Sequence, residues 1–382
     1  MMKPIRILII LNYLCIHFTA TANEHVMIHI PFNIEIDPME RLLLVNFEND
    51  PDTLYVGFEP QVFDDRFNGQ SHLVIGWRKD GRVDVYHEAG LKPDPAKYDI
   101  AGKGLANMIE REMVHAYFEI DDRGVQAHYQ FLDIHDRMVH IRIAEKHPGK
   151  RKPFGLLAPM GAAAENPSAM PLVFLHDFYF VRRKHTDIEV SVNGHVHRVD
   201  KLPIPMDFRS MTFIRYSPEP LIATFNPAFT GTMPALELHK GSTRLKYKDQ
   251  DILLEWEGGK AFIKQMLFNN DTHPVVVHFD RPFPVPDFLD KGFRQKGSFC
   301  IRAHPSTGRI SGRYAVERND GHISIVMIPD KGWKPRPNKL SLRFLYTVAR
   351  MFKQWPKTYE WTAKIEKENE HFRMTSSWKR IK

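Results

Sequence analysis

The chain has 382 residues, of which 43% are hydrophobic and 12% aromatic. This length and composition predict a globular protein with two moderate cores and argue against intrinsic disorder. The formal charge is +7, and it falls to +5 if residues 1–22, which include Lys3 and Arg6, are removed; a charge of +5 is a mild bias toward acidic partners. Because lysine and arginine are scattered without a concentrated patch, no nucleic-acid partner is predicted.

The N-terminus has the order of a secretory signal peptide. Lys3 and Arg6 precede an apolar run at residues 7–18, and the small residues at 20–22 provide a cleavage site. The run is short for a membrane span, and the alternatives are an uncleaved anchor or a buried strand. We therefore predict a signal peptide at residues 1–22, a periplasmic or secreted protein, and no transmembrane segment after cleavage.

Cysteine usage fits the same compartment. Removal of Cys15 with the signal peptide leaves Cys300 without a partner for an intramolecular disulfide. An exported protein without disulfides suits a bacterial periplasm better than an animal extracellular space.

Short apolar runs separated by turn signals predict antiparallel strands in the first half of the mature chain. The early strands are predicted at residues 42–47, 54–58, 73–77 and 83–86. Asp80 and Gly81 form a two-residue hairpin signal, which would pair Trp77 with Asp84. Asp84 then lies on an apolar face, where a carboxylate is either held by a structural partner or turned toward a cavity.

The stretch at residues 171–226 joins the two halves and is the predicted seam between two β domains, at 23–205 and 206–382. It begins with a nearly unbroken apolar run at 172–181, typical of a strand covered on both faces. Asn193 and Gly194 then predict a second hairpin.

The second half again shows short strands with frequent turns and without intervening helices, so its sheet is predicted to be mainly antiparallel. One helix is predicted at residues 341–355, with Ser341 as its cap and Pro356 as its end. A closing strand with alternating apolar residues follows it. The predicted fold class is therefore all-β, with two tandem antiparallel barrels or sandwiches and a late helix before the last strand.

This order of elements resembles that of the two-domain lipocalin-like (calycin) proteins, a group that includes carotenoid hydratases and fungal cyclases. The resemblance covers the whole mature chain at the level of architecture and carries over no catalytic residue. It implies two lipocalin-like barrels with an apolar pocket in one barrel or between the two. It also implies that acid–base chemistry on a hydrophobic substrate is one activity such a pocket supports.

Three residues are candidate proton carriers because they interrupt strands that otherwise have the composition of a core. They are Asp84, His176 and Asp177. The structural alternative for Asp177 is an internal ion pair with a nearby arginine. Five further residues are candidates for binding a ligand through an aromatic face, a hydroxyl or a guanidinium group: Trp77, Tyr86, Arg182, Arg215 and Tyr216.

His195 and His197 are separated by one residue, and this spacing puts both imidazoles on one side of a strand. Such a pair can chelate zinc, copper or iron when a third ligand comes from elsewhere in the chain. The sequence lacks the HExxH and CxxC patterns, and with 20 histidines a close pair is expected by chance. No metal and no cofactor are therefore predicted, and His195 and His197 are kept as the candidates if one binds.

These observations favour a secreted or periplasmic protein that binds an apolar or amphiphilic small molecule. Isomerase or hydratase chemistry is an extension of that hypothesis, and whether the protein is an enzyme stays open. A carbohydrate-binding or carbohydrate-active β-sandwich (lyase or hydrolase) is the first alternative. A structural scaffold without a small-molecule site is the second.

Overall fold

The computed structural model describes residues 24–37, 39–147, 151–160, 163–203, 205–206, 209–268, 274–369 and 371–381. The predicted signal peptide at residues 1–22 lies outside them. The fold is nearly all β, with 61% strand and 6% helix, and includes a curled half-barrel, which confirms the predicted fold class.

The described strands form two large sheets, a five-stranded sheet and a two-stranded sheet. The first large sheet contains β2 (Ile34–Asp37), β3 (Arg41–Asn46), β4 (Tyr55–Asp65), β5 (Gly69–Arg78), β6 (Val83–His87), β7 (Leu105–Glu110), β11 (Phe154–Ala158), β12 (Met170–Arg182), β15 (Met211–Ser217) and β16 (Pro220–Phe225). Its order is β2-β16-β12-β15-β3-β4-β5-β6-β7, with β11 paired to β12. Among the described pairs, β6 with β7 is parallel and the others are antiparallel.

The five-stranded sheet contains β8 (Met113–Asp121), β9 (Gly124–Leu132), β10 (Met138–Glu145), β13 (Thr186–Val192) and β14 (His195–Val196). The second large sheet contains β17 (Phe229–Thr232), β19 (Arg244–Tyr247), β20 (Gln250–Glu257), β21 (Lys260–Phe268), β22 (Val275–Pro284), β23 (Arg294–Arg302), β24 (Arg309–Arg318), β25 (His322–Lys334), β26 (Tyr359–Glu368) and β27 (His371–Arg380). The remaining two strands, β1 (His25–Ile28) and β18 (Leu236–His239), pair with each other.

The first large sheet is covered on both faces. Leu73 and Ile75 of β5 belong to the larger apolar core, whereas Val74 between them belongs to the smaller one. Successive side chains of a strand point to opposite faces, so the two cores lie on the two sides of this sheet. The smaller core also contains Tyr129 and Ile141, which the five-stranded sheet contributes.

The N-terminal segment enters the larger core. Phe32 lies between β1 and β2, and its ring centroid is 4.6 Å from that of Phe283 and 5.9 Å from that of Trp361 in the second large sheet. The strands β15 and β16, which follow residue 205, belong to the first large sheet. The domain boundary at 205/206 stays a prediction.

The first hairpin differs from the sequence-based prediction by one residue. Trp77 pairs with Val83, and Asp84 pairs with Gly76. The loop has three residues instead of two, and Gly81 adopts φ +87°, which suits glycine at the end of such a loop. Trp77 and Asp84 therefore lie on opposite faces of the sheet.

The predicted helix at 341–355 is divided into α1 (Leu340–Val348) and α2 (Arg350–Gln354). The break falls at Ala349, whose ψ of 110° is extended. Two strands, β26 and β27, follow the helices, whereas the sequence-based prediction has one.

The break between the helices lets three aromatic rings meet. Phe352 lies 5.2 Å from Tyr346 and 5.4 Å from Trp333, measured between ring centroids. A straight helix would carry Phe352 away from this cluster. Neither α1 nor α2, the α-helices of the described residues, has the length and apolar character needed to cross a bilayer.

Candidate functional site

The candidate site lies beside a gap in the pairing of β3 with β4. The register places Glu59 opposite Leu44 and Pro60 opposite Leu43, but these residues are not paired with each other. The residues before and after them on both strands are paired. Proline has no N–H for a ladder bond, so β4 tolerates Pro60 where the pairing is open. On the other edge of β3, Leu44 pairs with Arg215 of β15, which puts Glu59 and Arg215 in one row on the same face.

Glu59 is the buried acid of this site, with a relative exposure of 1%. Its two carboxylate oxygens accept hydrogen bonds from Gln61 Nε2 at 2.9 Å and from Trp77 Nε1 at 3.0 Å. Burial raises the pKa of Glu59 to about 7, although both hydrogen bonds and the charge of Arg215 oppose the rise. Near neutral pH this carboxyl group can therefore either give or take a proton.

Arg215 supplies a positive charge to the same site. Its Nη1 donates to Asn46 Oδ1 at 2.8 Å and to the Phe213 carbonyl at 3.1 Å, and the guanidinium lies 4.2 Å from the Phe213 ring centroid. Burial lowers the pKa of Arg215 to about 10, while Glu59 and other acids nearby oppose the fall. Arg215 therefore stays protonated at neutral pH.

These groups line a cavity of about 250 Å³, which we call the Glu59 cavity. Its other lining residues are mainly apolar: Leu44, Val45, Asn46, Glu48, Val56, Phe58, Trp77, Ala158, Pro159 and Met160. A mainly apolar wall with the carboxyl groups of Glu48 and Glu59 and the guanidinium of Arg215 suits a ligand that has an apolar body and a polar head. Trp77 and Arg215, both predicted to bind a ligand, meet here.

Asp84 and Tyr86 lie elsewhere, in a hydrogen-bonded network inside the smaller core. Asp84 is fully buried and accepts from Tyr55 Oη at 3.2 Å, Arg78 Nη1 at 3.2 Å and Asn107 Nδ2 at 2.7 Å. The hydroxyl groups of Tyr55 and Tyr86 are 2.6 Å apart. Asp84 thus has the partners expected of a structural carboxylate.

His176 and Asp177 lie on β12, separated from Asp84 on β6 by four strands of the sheet. At about 4.8 Å a strand, this is roughly 24 Å along the sheet. His176 is buried, and its Nε2 is 3.3 Å from Glu219 Oε2. The structure therefore does not bring the three candidate proton carriers together.

Tyr216 lies on the opposite face from Arg215, because neighbouring strand residues point to opposite sides. Arg182 of β12 pairs with Met211, beyond a shift in the register of β12 with β15. Tyr216 Oη accepts from Arg151 Nη2 at 2.8 Å, and the same nitrogen contacts Glu145. The main-chain N–H of Arg182 donates to Glu145 Oε1 at 3.1 Å. Burial lowers the pKa of Arg182, and the charge of Arg151 adds to the effect.

The second predicted hairpin has the predicted register, since Val192 pairs with His195. His197 is buried, with an exposure of 4%, whereas His195 is exposed. Asp50 joins them from the turn after β3, and the potential ligand atoms of the three residues lie within 4.8 Å of one another. The sequence did not identify Asp50 as the third residue.

A second cavity, of about 230 Å³, lies where the N-terminal segment meets the second large sheet. We call it the Trp361 cavity. Three of its lining residues are buried and carry side-chain atoms without a hydrogen-bond partner among the described residues: Asn226 Nδ2, Trp361 Nε1 and Ser376 Oγ. Phe229 and Tyr247 are the more accessible aromatic residues of its wall.

Comparison of the chain with protein-family models, with curated proteins and with solved structures finds no significant match. The lipocalin-like resemblance therefore stays a prediction.

The sequence does not single out Glu59, because the strand predicted at residues 54–58 ends at Phe58, before Glu59 and Pro60. The sequence feature that could have pointed to Glu59 is its position as an acidic residue between Phe58 and the apolar residues Val62 and Phe63.

Proposed function

We propose that the protein binds an amphiphilic small molecule in the Glu59 cavity, with its polar head near Arg215 and its apolar body against the cavity wall. The observation that carries this proposal is the buried carboxyl of Glu59, which accepts a hydrogen bond from Trp77 and lies in one row with Arg215 in a mainly apolar cavity. A buried acid and a half-buried arginine each cost desolvation energy, so a fold that keeps both beside an open space is suited to a ligand.

The arrangement also supports acid–base chemistry as an extension of binding. A pKa of about 7 gives Glu59 comparable amounts of acid and conjugate base near neutral pH, the condition that favours proton transfer in both directions. An isomerase or hydratase needs such a group beside an apolar substrate. In this proposal Glu59 takes the role that the sequence suggested for Asp84, His176 or Asp177.

The proposal includes export to the periplasm or the extracellular space. Its support is the N-terminal sequence, in which Lys3 and Arg6 precede an apolar run and a small-residue cleavage site. Fractionation of expressing cells and N-terminal sequencing of the product would test both the compartment and the cleavage after Ala22.

Thermal shifts test the binding site. A ligand that binds only the folded state raises Tm, so we would compare farnesoic acid, farnesol and farnesene, which share a chain and differ in the head group. We expect the acid to raise Tm most, because Arg215 pairs with a carboxylate. Arg215→Met should remove the preference for the acid, whereas Arg183→Met, at an exposed arginine, should keep it. A wild-type Tm that none of the three compounds changes would contradict the proposal for this ligand class.

Carbohydrate binding in the Trp361 cavity is the second candidate function. Unmade hydrogen bonds at Asn226, Trp361 and Ser376 favour a ligand rich in hydroxyl groups, and Phe229 and Tyr247 offer rings for a sugar face. Titration with neutral and acidic oligosaccharides, followed by Tm, would separate the two candidates. Ser376→Ala should weaken oligosaccharide binding and leave farnesoic acid binding unchanged.

A further inference from the structure

We propose that Asp50, His195 and His197 form a binding site for one divalent transition-metal ion, with Zn²⁺ as the probe that fits their chemistry. Two imidazole nitrogens and one carboxylate oxygen are a common zinc ligand set, and a water molecule would take the fourth position. This site is separate from both cavities and does not depend on the proposed function.

The hydrogen bond of His197 determines which ring nitrogen is available. Nδ1 of His197 lies 2.9 Å from the main-chain carbonyl oxygen of Asp50. A carbonyl oxygen can only accept, so Nδ1 carries the proton in neutral imidazole and Nε2 keeps its lone pair. Nε2 is buried and has no hydrogen-bond partner among the described residues. Histidines that bind metals commonly have this arrangement, in which the other ring nitrogen donates to a carbonyl or carboxylate.

The ring of His197 is held in place before any ion binds. It stacks on buried Phe47, with 5.2 Å between the ring centroids, and its main-chain N–H donates to Val190 O at 2.8 Å. A fixed ligand loses less conformational freedom when a metal binds, which favours affinity.

Asp50 and His195 can complete the site with small movements. The main-chain N–H and Nε of Arg198 both contact Asp50 Oδ2, at 2.8 and 3.4 Å, so Oδ1 is the oxygen that these contacts leave for an ion. The side chain of Arg198 is 87% exposed and can turn away from a bound cation. Tetrahedral zinc places its ligand atoms roughly 3.4 Å apart, given bonds of about 2.0–2.2 Å. The potential ligand atoms here lie within 4.8 Å of one another, so the side chains of Asp50, His195 and His197 must approach one another by up to about 1.4 Å when an ion binds.

A metal ion bound at this site would cross-link two parts of the fold. A bound ion would join the turn that follows β3 to the hairpin of β13 and β14, and would stabilise the folded state through mass action. The histidine pair alone cannot make this link, because both histidines lie on the same hairpin. The cross-link therefore depends on Asp50.

The test is calorimetric titration of the chelator-treated full chain with ZnCl₂, with Tm measured in parallel. We expect uptake of one Zn²⁺ per chain and a higher Tm. His195→Ala should weaken this binding at least tenfold and leave the metal-free Tm unchanged, because His195 is exposed. Asp50→Asn should weaken it similarly. His135→Ala, at an exposed histidine outside the cluster, should match wild type.

A visible spectrum with Co²⁺ in place of Zn²⁺ gives a second readout, since tetrahedral nitrogen and oxygen ligands produce intense d–d bands that the His195→Ala variant should lose. Absence of saturable one-to-one Zn²⁺ uptake by the wild-type chain overturns the proposal. Uptake that neither His195→Ala nor Asp50→Asn weakens also overturns it, because the ion would then be bound elsewhere.

Discussion

The indole Nε1 of Trp77 donates a 3.0 Å hydrogen bond to the carboxylate of Glu59, which is almost completely buried. This contact and the one from Gln61 do not compensate fully for the lost solvation, because the pKa of Glu59 still rises from 4.5 to about 7. The folded protein therefore keeps a proton that the unfolded chain releases at lower pH.

The pH dependence of stability follows with a definite sign. Between about pH 4.5 and 7 the folded state binds more protons at Glu59 than the unfolded state, so the free energy of unfolding falls as pH rises. The shift corresponds to a loss of about 3 kcal/mol across this window. Glu59→Gln should remove this loss of stability with rising pH. The variant should therefore have a higher free energy of unfolding than wild type at pH 8, and the two values should be closer at pH 5. Urea denaturation at both pH values measures the difference.

The identity of the control matters because other groups titrate in the same range. Glu48→Gln changes an exposed acid that lines the same cavity, and it should leave the pH dependence of wild type intact. An unchanged pH slope in Glu59→Gln would show that this carboxyl is ionised in the folded state at neutral pH.

A second prediction concerns Asp84. Asp84→Ala removes the acceptor shared by Tyr55, Arg78 and Asn107 and leaves the Arg78 guanidinium without its buried partner. We expect a loss of roughly 3–5 kcal/mol in the free energy of unfolding. Asp80→Ala is a matched control, since Asp80 also pairs with Arg78 but is exposed, and it should cost less than about 1 kcal/mol. Equal losses in the two variants would contradict a structural role for Asp84.

The sequence predicts the fold class well because strand and turn signals are local. The alternation of apolar residues and the Asn193-Gly194 turn were sufficient for the strands and for one hairpin register. The prediction for the Asp80-Gly81 loop is wrong, because these two residues fit a two-residue loop and a three-residue loop equally. A shift of one residue in the pairing moves every side chain of a strand to the other face of the sheet. This error put Asp84 on the face of Trp77.

The candidate site was harder to predict, since it depends on pairing between distant strands. Trp77 and Arg215 were recognised as candidates from their residue types, but nothing local shows that β15 pairs with β3. Glu59 is not recognised as a site residue from the sequence, because Pro60 suggests the end of a strand. Proline is nevertheless tolerated where a strand has no ladder hydrogen bond to make. Asp50 likewise reaches His197 only through the packing of the turn after β3 against the later hairpin.

A third prediction concerns the N-terminal segment. Asp287 accepts from the main-chain N–H of His29 at 2.7 Å and lies 2.9 Å from its Nδ1, next to the point where Phe32 enters the larger core. Asp287→Ala should increase amide hydrogen exchange at residues 25–34 by lowering the free energy of local opening by about 2 kcal/mol. Asp290→Ala, at an exposed carboxylate paired with Lys260, should leave exchange in this segment unchanged. Similar exchange in wild type and Asp287→Ala would mean that the apolar contacts of Phe32 are sufficient.

The last prediction tests a close backbone contact that links the two large sheets. Gly155 of β11 lies against the turn at residues 305–307, and a Cβ added there would be 2.2 Å from the carbonyl oxygen of Ser306. That atom belongs to the main chain, so it cannot rotate away, and Gly155→Ala must displace one of the two segments. The Gly155 carbonyl also accepts from Tyr346 Oη at 2.9 Å, so the displacement would reach α1.

We therefore expect Gly155→Ala to lower the free energy of unfolding by about 1–3 kcal/mol, the usual cost of forcing extra volume into a packed site. Gly321→Ala provides the control, because its added Cβ meets nothing within 4 Å and its backbone needs no glycine-specific φ. Urea denaturation of both variants measures the cost, and near-ultraviolet circular dichroism reports whether the ring cluster beside Tyr346 is disturbed. If Gly155→Ala is as stable as Gly321→Ala, the strand and the turn are separated by more space than the contact distance implies, and β11 does not fix α1 against the second large sheet.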